Sequence, residues 1–193
     1  IENEQLQAEN LRNQYEVLKN QLNPHMLFNS LNTLNSLIRE TPGKAQDYLQ
    51  ELSKVLRYSL QESDSYRVTL EEEMNFVRSY MYLLQMRFEE NLVFEVEVAP
   101  EALSKTLPPV SVQLLVENAV KHNEISNRHP LHIRIRADKD SLSVSNPIQP
   151  KLTASSGTHI GLSNLSKRYQ LLFGREIEVK EEKNHFIVIL PLI

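Results

Sequence analysis

Residue His25 is the first candidate for chemistry in this sequence. It directly follows Pro24, at the start of a stretch whose apolar residues repeat at helical spacing. At about 100° per residue, His25 falls roughly 140° from the centre of the apolar stripe, which predicts an exposed imidazole. An exposed imidazole with an unprotonated nitrogen can accept a phosphoryl group. A lone exposed histidine is more often an ordinary surface residue, so this position needs support from elsewhere in the chain.

A second group of candidate residues lies in the segment 115–123. Helical spacing places Asn118 and His122 four residues apart on one face, with Lys121 beside them. Glu117 and Asn118 have oxygen atoms of the kind that hold Mg²⁺, and Lys121 can neutralise phosphate charge. The alternative is a solvated polar face without a ligand, and the pattern taken alone favours that alternative.

The third candidate is a loop that contains glycine. Gly157 and Gly161 are two of the four glycines in the chain, and they come at the start of a predicted helix. Free backbone N–H groups at a helix start attract phosphate, although many helix starts have a glycine and bind nothing. The segment has neither the lysine of a Walker loop nor the third glycine of the Rossmann pattern.

Composition and periodicity divide the chain near Asn91. Residues 1–90 contain one glycine and two prolines, and their apolar residues repeat at helical spacing, whereas the remaining residues contain three glycines and seven prolines. This shift predicts a helical domain over residues 1–90, an α/β domain over residues 91–193, and a hinge near Asn91. The fold class is therefore α+β.

The first half is predicted to form four helices. Apolar residues from Ala8 to Leu22 are consistent either with one amphipathic helix or with a coiled coil. A second helix follows Pro24, with an apolar stripe that includes Leu27, Phe28, Leu31, Leu34 and Ile38. A third helix has its stripe between Tyr48 and Leu60, and a fourth begins at Thr69 with a capping box to Glu72.

The second half is predicted to contain strands and two helices. The strands are expected at 93–98, 131–137, 141–146, 177–180 and 186–190. The helices are expected at 110–123 and 161–173.

Several classes of function are excluded by composition. The formal charge is −4 with no long basic run, so the chain is not expected to bind nucleic acid. It contains no cysteine, which rules out disulfides, thiolate metal sites and cysteine nucleophiles. No apolar run reaches the roughly 18 residues of a membrane span. The first residue is Ile1, which leads us to expect an upstream sensor or membrane segment outside this chain.

Together these motifs resemble the LytS-like sensor histidine kinases. Residues 22–32 (LNPHMLFNSLN) are similar to the phosphoacceptor block of that family, and segments 57–60, 68–73 and 87–88 match its later helices in order. Residues 108–122 are similar to its N box, and the glycine loop is similar to its second glycine box. The similarity begins near Leu18 and covers nearly the whole remaining chain.

The resemblance implies a fold and an activity. A helical dimerisation and phosphoacceptor domain would precede a Bergerat-type α/β sandwich of the GHKL class that binds ATP. His25 would be autophosphorylated from Mg-ATP and would pass the phosphoryl group to an aspartate of a response regulator. The chain would form a homodimer through its N-terminal helices, as the cytoplasmic portion of a bacterial inner-membrane protein.

The resemblance also assigns roles to individual residues. Glu117 would assist catalysis near the γ-phosphate, and Asn118 would ligate Mg²⁺. The remaining residues expected near the nucleotide are Lys121, His122, Asn146, Gly157, Gly161, Leu162, Asn164 and Arg168.

Three departures from the family pattern leave alternatives open. The place of the usual Asp-x-Gly reads Ser145-Asn146-Pro147, and Asn146 is a neutral acceptor that should bind adenine less strongly than a carboxylate does. The turn before the last strand also contains no glycine, and Met26 rather than an acid follows His25. A degenerate kinase that acts as a dimeric scaffold is therefore the second hypothesis. A GHKL ATPase that clamps by conformational change is the third, and it is disfavoured because it would not need the His25 helix.

Overall fold

The computed structural model describes residues 2–20, 24–61, 65–151 and 160–193. The helices are α1 (Glu2–Asn20), α2 (Pro24–Glu40), α3 (Pro42–Gln61), α4 (Leu70–Phe88), α5 (Ser111–His122) and α6 (Ile160–Phe173). The strands are β1 (Val68–Thr69), β2 (Leu92–Val98), β3 (Thr106–Leu107), β4 (Leu131–Ala137), β5 (Ser141–Pro147), β6 (Glu178–Glu182) and β7 (His185–Pro191). Gly157 and Asn23 of the predicted motifs lie outside the described residues.

The second half of the chain forms a five-stranded mixed sheet. Its strand order is β2-β4-β5-β7-β6, with β2 and β4 parallel and the other neighbours antiparallel. Strand β4 alternates strictly, with Leu131, Ile133 and Ile135 buried and the residues between them exposed. Such alternation means that helices cover one face of the sheet while water covers the other. The predicted α+β fold class is confirmed.

Contacts cross the predicted boundary at residue 91. The β1 strand, from the helical half, pairs with β3 at the register Val68 to Leu107. One continuous hydrophobic core includes residues of α3 and α4 together with residues of the sheet and of α5. The connection between α4 and β2 is a single turn of 3₁₀ helix at Glu89–Asn91, in which Glu89 has φ 54°. The division into two domains stays a prediction.

Helix α2 buries a different face from the one its apolar stripe indicated. Met26 and Ser30 are buried at 6% and 5% exposure, whereas Phe28 is 67% exposed and Ile38 is 56% exposed. The buried side packs against α3 and α4, and Met26 at its start contacts Gln113 of α5. We call the remaining exposed apolar residues of α2 the outer stripe; they are Leu27, Phe28, Leu31 and Ile38.

Local turn chemistry explains two element boundaries. Thr69 caps α4 as predicted, since its side chain accepts a hydrogen bond from the backbone N–H of Glu72 at 3.2 Å. The hairpin between β6 and β7 turns through Lys183 and Asn184, which both have positive φ (51° and 62°). Two such residues form a type I′ turn, so this hairpin closes without the expected glycine.

A buried carboxylate links the helical half to the start of α5. Glu73 of α4 has no exposed surface, and its Oε2 atom accepts hydrogen bonds from the Tyr58 hydroxyl and from the Val110 backbone N–H, both at 3.0 Å. Val110 has φ 59°, which is a strained conformation for a β-branched residue. Arg168 of α6 donates to the backbone oxygen of the neighbouring Pro109. The carboxylate thus holds the strained turn from which α5 begins.

Replacing this carboxylate is expected to destabilise the fold. Glu73→Ala leaves the Tyr58 hydroxyl and the Val110 N–H without their acceptor, and we expect a loss of about 2–4 kcal/mol in the free energy of unfolding. Urea denaturation measures this quantity. Glu71→Ala, on the exposed side of the same helix, is the matched control and should change stability by less than about 0.5 kcal/mol. Equal midpoints for the two variants would contradict this role of Glu73.

Candidate functional site

A cavity of about 210 Å³ lies between α2 and α5. Helix α2 lines it with Met26, Asn29, Ser30 and Thr33, and α5 lines it with Glu117, Val120 and Lys121. The remaining wall comes from α3, from the C-terminal half of α4, from Asn123 and Ile125 after α5, and from Lys151. His25 is the second residue of α2, directly before Met26 and one helical turn before Asn29. The structure therefore brings the helix of the first sequence motif to the helix of the second.

A contact between two buried side chains holds α2 on α5. The Nε2 atom of Gln113 lies 2.9 Å from the Sδ atom of Met26, and the two residues are 1% and 6% exposed. Sulfur is a weak acceptor, so the contact contributes position and packing more than hydrogen-bond energy. Met26 was considered in the sequence only because it is not an acid, and Gln113 had no predicted role. No local pattern connects two residues that are 87 positions apart.

Glu117 is a carboxylate in this cavity with an unused acceptor. Its Oε2 atom is buried and accepts no hydrogen bond from the described residues. Burial raises the pKa of Glu117 to about 7, and the positive charge of Lys121 opposes that shift only in part. A carboxyl group with a pKa near neutral can both take up and release a proton at physiological pH.

Asn118 lies about 100° around α5 from Glu117 and does not line the cavity. One turn earlier on the same side, Leu114 meets the start of α6, where a Cβ added to Gly161 would lie 3.1 Å from its Cδ1 atom. Glycine therefore allows the first turn of α6 to approach α5 closely. His122 lies one turn after Asn118. The structure thus places Asn118, His122 and Gly161 along one side of α5, and Glu117 and Lys121 along another.

The other predicted nucleotide residues lie deeper in the fold. Leu162, Asn164 and Arg168 are 6%, 7% and 1% exposed on α6. Asn146 is 3% exposed on the covered face of β5, and its Nδ2 atom donates to the Pro147 backbone oxygen at 2.8 Å. The guanidinium of Arg168 lies at the start of α5, beside Pro109. Contact of these residues with a nucleotide stays a prediction.

The oxygen atoms at α5 suit Mg²⁺ better than a softer metal. Among the described residues no group of three or more His, Asp or Glu side chains could hold a metal ion. Mg²⁺ is bound through one or two protein oxygens while phosphates and water fill its other positions. The Asn118 amide oxygen, on the side of α5 that meets the start of α6, supplies one ligand of that kind, so this position fits Mg²⁺ bound together with phosphates.

Comparison with known proteins shows which family this chain is similar to. A histidine kinase family model matches residues 13–92. The chain is 32% identical over 184 residues to the sensor protein LytS of Staphylococcus saprophyticus. The aligned region covers 87% of this chain and 31% of that protein. It is also 32% identical over 182 residues to the sensor histidine kinase/phosphatase LytS of Staphylococcus aureus MRSA252. That aligned region covers 86% of this chain and 31% of the relative.

Among solved structures, the nucleotide-free catalytic domain of the histidine kinase ThkA has a TM-score of 0.48 at 19% identity, covering 65% of this chain and 93% of that domain. The chain spans about a third of the length of the curated relatives it matches. It is a relative of the sensor histidine kinases. The particular proteins that it resembles are the LytS sensor proteins, as the sequence motifs indicated. No helix in the described part of the chain combines the length and hydrophobicity that a membrane span needs.

The raised pKa of Glu117 predicts a pH-dependent stability. Because its pKa of about 7 lies above the ordinary 4.5, the folded protein holds this proton more tightly than the unfolded chain does. The resulting stabilisation is complete below pH 4.5 and is lost as the pH rises through 7. Glu117→Gln should remove on the order of 1–3 kcal/mol of the stability difference between pH 5 and pH 8. Urea denaturation at both pH values measures it.

Glu71→Gln provides the control, because Glu71 is exposed on α4. It should keep the pH dependence of the wild-type protein. Burial also raises the pKa of Glu73 to about 7, so part of the pH dependence should remain in Glu117→Gln. A Glu117→Gln variant whose stability falls with pH as steeply as that of the control would show that Glu117 does not contribute to it.

Proposed function

We propose that this chain is the kinase portion of a sensor histidine kinase, which transfers the γ-phosphoryl group of ATP to His25. The observation that carries the proposal is the cavity shared by α2 and α5. On one side it is lined by residues that directly follow His25, and on the other by Glu117 and Lys121. The likeness to LytS sensor histidine kinases over most of the chain supports the same activity.

The proposed transfer uses the neutral imidazole of His25 as the nucleophile. A ring nitrogen forms a bond to the γ-phosphorus, and the bond from that phosphorus to the β–γ bridging oxygen breaks. ADP leaves with the electron pair of the broken bond. The ring proton of the imidazole passes to the carboxylate of Glu117, whose pKa of about 7 suits a proton acceptor at neutral pH. Lys121 stabilises the negative charge of the phosphoryl group.

We place the nucleotide on the side of α5 that includes Asn118. There Asn118 would hold Mg²⁺, which supplies charge neutralisation between phosphates when bound. His122 and the start of α6 at Gly161 and Leu162 would border the phosphates, and Asn164 and Gly157 would shape the surrounding loop. Asn146, on the covered face of β5, is the proposed acceptor for the adenine amino group. Arg168 would support this site by holding the start of α5.

We further propose two protein partners. Phosphohistidine is a high-energy donor, and an aspartate of a response regulator is the acceptor that the likeness to sensor histidine kinases implies. A second copy of the chain would cover the outer stripe of α2, because large apolar side chains at 36–67% exposure are costly to leave in water. The upstream sensor segment and the location at the inner membrane stay predictions.

Autophosphorylation is tested by replacing the acceptor. Incubation with γ-³²P-ATP and Mg²⁺ should label the wild-type protein with an acid-labile, alkali-stable phosphate, and His25→Ala should abolish the label because it removes the nucleophile. His132→Ala is the matched control, since His132 is exposed on the open face of the sheet. Undiminished labelling of His25→Ala would reject His25 as the acceptor.

Nucleotide affinity separates the kinase from the degenerate scaffold. Calorimetry should show binding of Mg-ATP at micromolar to low millimolar concentrations. Binding that is absent at millimolar ATP would favour the scaffold, in which the neutral Asn146 fails to replace a carboxylate. Steady ATP turnover without any phosphoprotein would favour the clamping ATPase instead.

The outer stripe predicts dimerisation through α2. Phe28→Glu places a charge on this stripe and should convert a dimer to a monomer, with the dissociation constant raised at least tenfold, because the charge would be buried at the interface. Sedimentation velocity measures the change. Leu171→Glu, at an exposed apolar residue of α6, is the control and should sediment as the wild type does. A Phe28→Glu protein that remains dimeric would place the interface elsewhere.

A further inference from the structure

The cavity between α2 and α5 has an excess of positive charge. Three cations line it, namely Arg87 from the last turn of α4, Lys121 from α5, and Lys151 after β5. Glu117 is the carboxylate among the lining residues. Within the described part of the chain none of these three cations forms a salt bridge. Three cations around one cavity with a single carboxylate favour an anionic ligand.

The pKa of Lys151 reflects the repulsion among these cations. Burial lowers the pKa of Lys151, and the nearby charges of Arg87 and Lys121 lower it further. An anion in the cavity would relieve the repulsion among all three cations.

Arg87 is placed well to bind such an anion. It is exposed to solvent although it lines the cavity, and its guanidinium lies 4.7 Å from the centre of the Phe88 ring. Stacking on an aromatic ring orients a guanidinium without using its N–H donors. Those donors form a planar fork that matches two phosphate oxygens, which an ammonium group cannot do.

The opposite wall of the cavity is polar, although the Thr33 hydroxyl already donates to the Asn29 backbone oxygen at 3.0 Å. Asn29, Ser30 and Thr33 of α2 have polar side chains and follow His25 within eight residues. The cavity volume of about 210 Å³ is several times the roughly 30 Å³ that one water molecule occupies in the liquid. A phosphoryl group and bound water therefore fit beside the helix that contains His25.

We propose that Arg87 is a phosphate-binding residue, which together with Lys121 and Lys151 holds the phosphoryl group in this cavity while it is transferred to His25. The identity of the phosphoryl donor rests on the proposed function, whereas the phosphate site itself does not. Arg87 would bind two oxygens of the group while the bond to the bridging oxygen of ADP breaks and the bond to the imidazole nitrogen forms. A residue of the helical half thus completes a site whose other charges come from the sheet half.

Labelling with γ-³²P-ATP tests this role in the whole chain. Arg87→Ala should reduce the initial rate of His25 labelling on the order of 100-fold, because it removes a donor to the charge of the transferred group. The dissociation constant of Mg-ATP should change by less than about threefold, since the nucleotide binds on the other side of α5. Arg87→Lys should recover part of the rate, because it restores the charge without the fork.

Arg78→Ala is the matched control, because Arg78 is exposed on the same helix and bonds to Asn75. It should label at the wild-type rate. Circular dichroism and the urea midpoint establish that both variants are folded. Equal rates for Arg87→Ala and Arg78→Ala would overturn the proposal, as would a loss of rate that is explained entirely by weaker ATP binding.

A second measurement keeps the proposal independent of kinase activity. Inorganic pyrophosphate is titrated into each protein by calorimetry at low ionic strength, where exposed cations act most strongly. Arg87→Ala should bind it about tenfold more weakly than the wild type or Arg78→Ala does. If the wild type is never labelled on His25 but shows this difference, the kinase proposal fails and the phosphate site stands. Wild-type protein that binds no pyrophosphate, or variants that bind it equally, would overturn the site.

Discussion

A single buried carboxylate determines where the candidate site can form. Glu73 accepts hydrogen bonds from the Tyr58 hydroxyl and from the Val110 N–H, so it joins α3, α4 and the turn that begins α5. A buried carboxylate is tolerated only where donors meet it, and a left-handed valine only where its surroundings hold it. Because α5 is a rigid helix, fixing its first turn also fixes Glu117 and Lys121, which lie within about three turns of its start and face α2.

The same helix separates two kinds of chemistry. Asn118 and His122 lie along the side that meets the start of α6, whereas Glu117 and Lys121 face the cavity under α2. The neighbours Glu117 and Asn118 lie on different sides of α5 because adjacent residues of a helix point about 100° apart. In the proposed reaction the nucleotide would thus bind on one side of α5 and its terminal phosphoryl group would reach the other.

Helix α2 has a wider apolar arc than its own chain buries. One face packs within the chain, where Met26 meets Gln113, and the other presents Phe28 and Leu31 to solvent. A surface helix of a monomer needs a single apolar stripe about 100° wide, so the wider apolar arc of α2 is more than one chain can bury. The excess is consistent with a helix that packs inside the protomer and also between protomers, as proposed here.

Local chemistry made much of the fold predictable. The Thr69 cap and the alternation in β4 act within a few residues, so the helices, the five strands of the large sheet and the α+β class followed from local patterns of this kind. The candidate residues of α5 were also evident, because Glu117, Asn118, Lys121 and His122 follow one another at helical spacing after a mainly apolar first half of the helix. The boundaries shifted by one or two residues, as at Val110, where a contact with Glu73 overrides the preference of a β-branched residue.

The buried face of α2 and the charge of the cavity were not predictable in this way. The apolar stripe of α2 indicated the wrong buried side, since periodicity shows how much apolar surface a helix has but not which part its own chain covers. Arg87, Lys121 and Lys151 meet only after α4, α5 and the end of β5 have packed. The sequence by itself determined the helices, the five strands of the large sheet, the class of protein and the candidate residues of each motif, but not the short pair β1 and β3. Only the tertiary structure decided which of the candidate residues share a cavity, because contacts such as Met26 to Gln113 join residues 87 positions apart and have no local pattern.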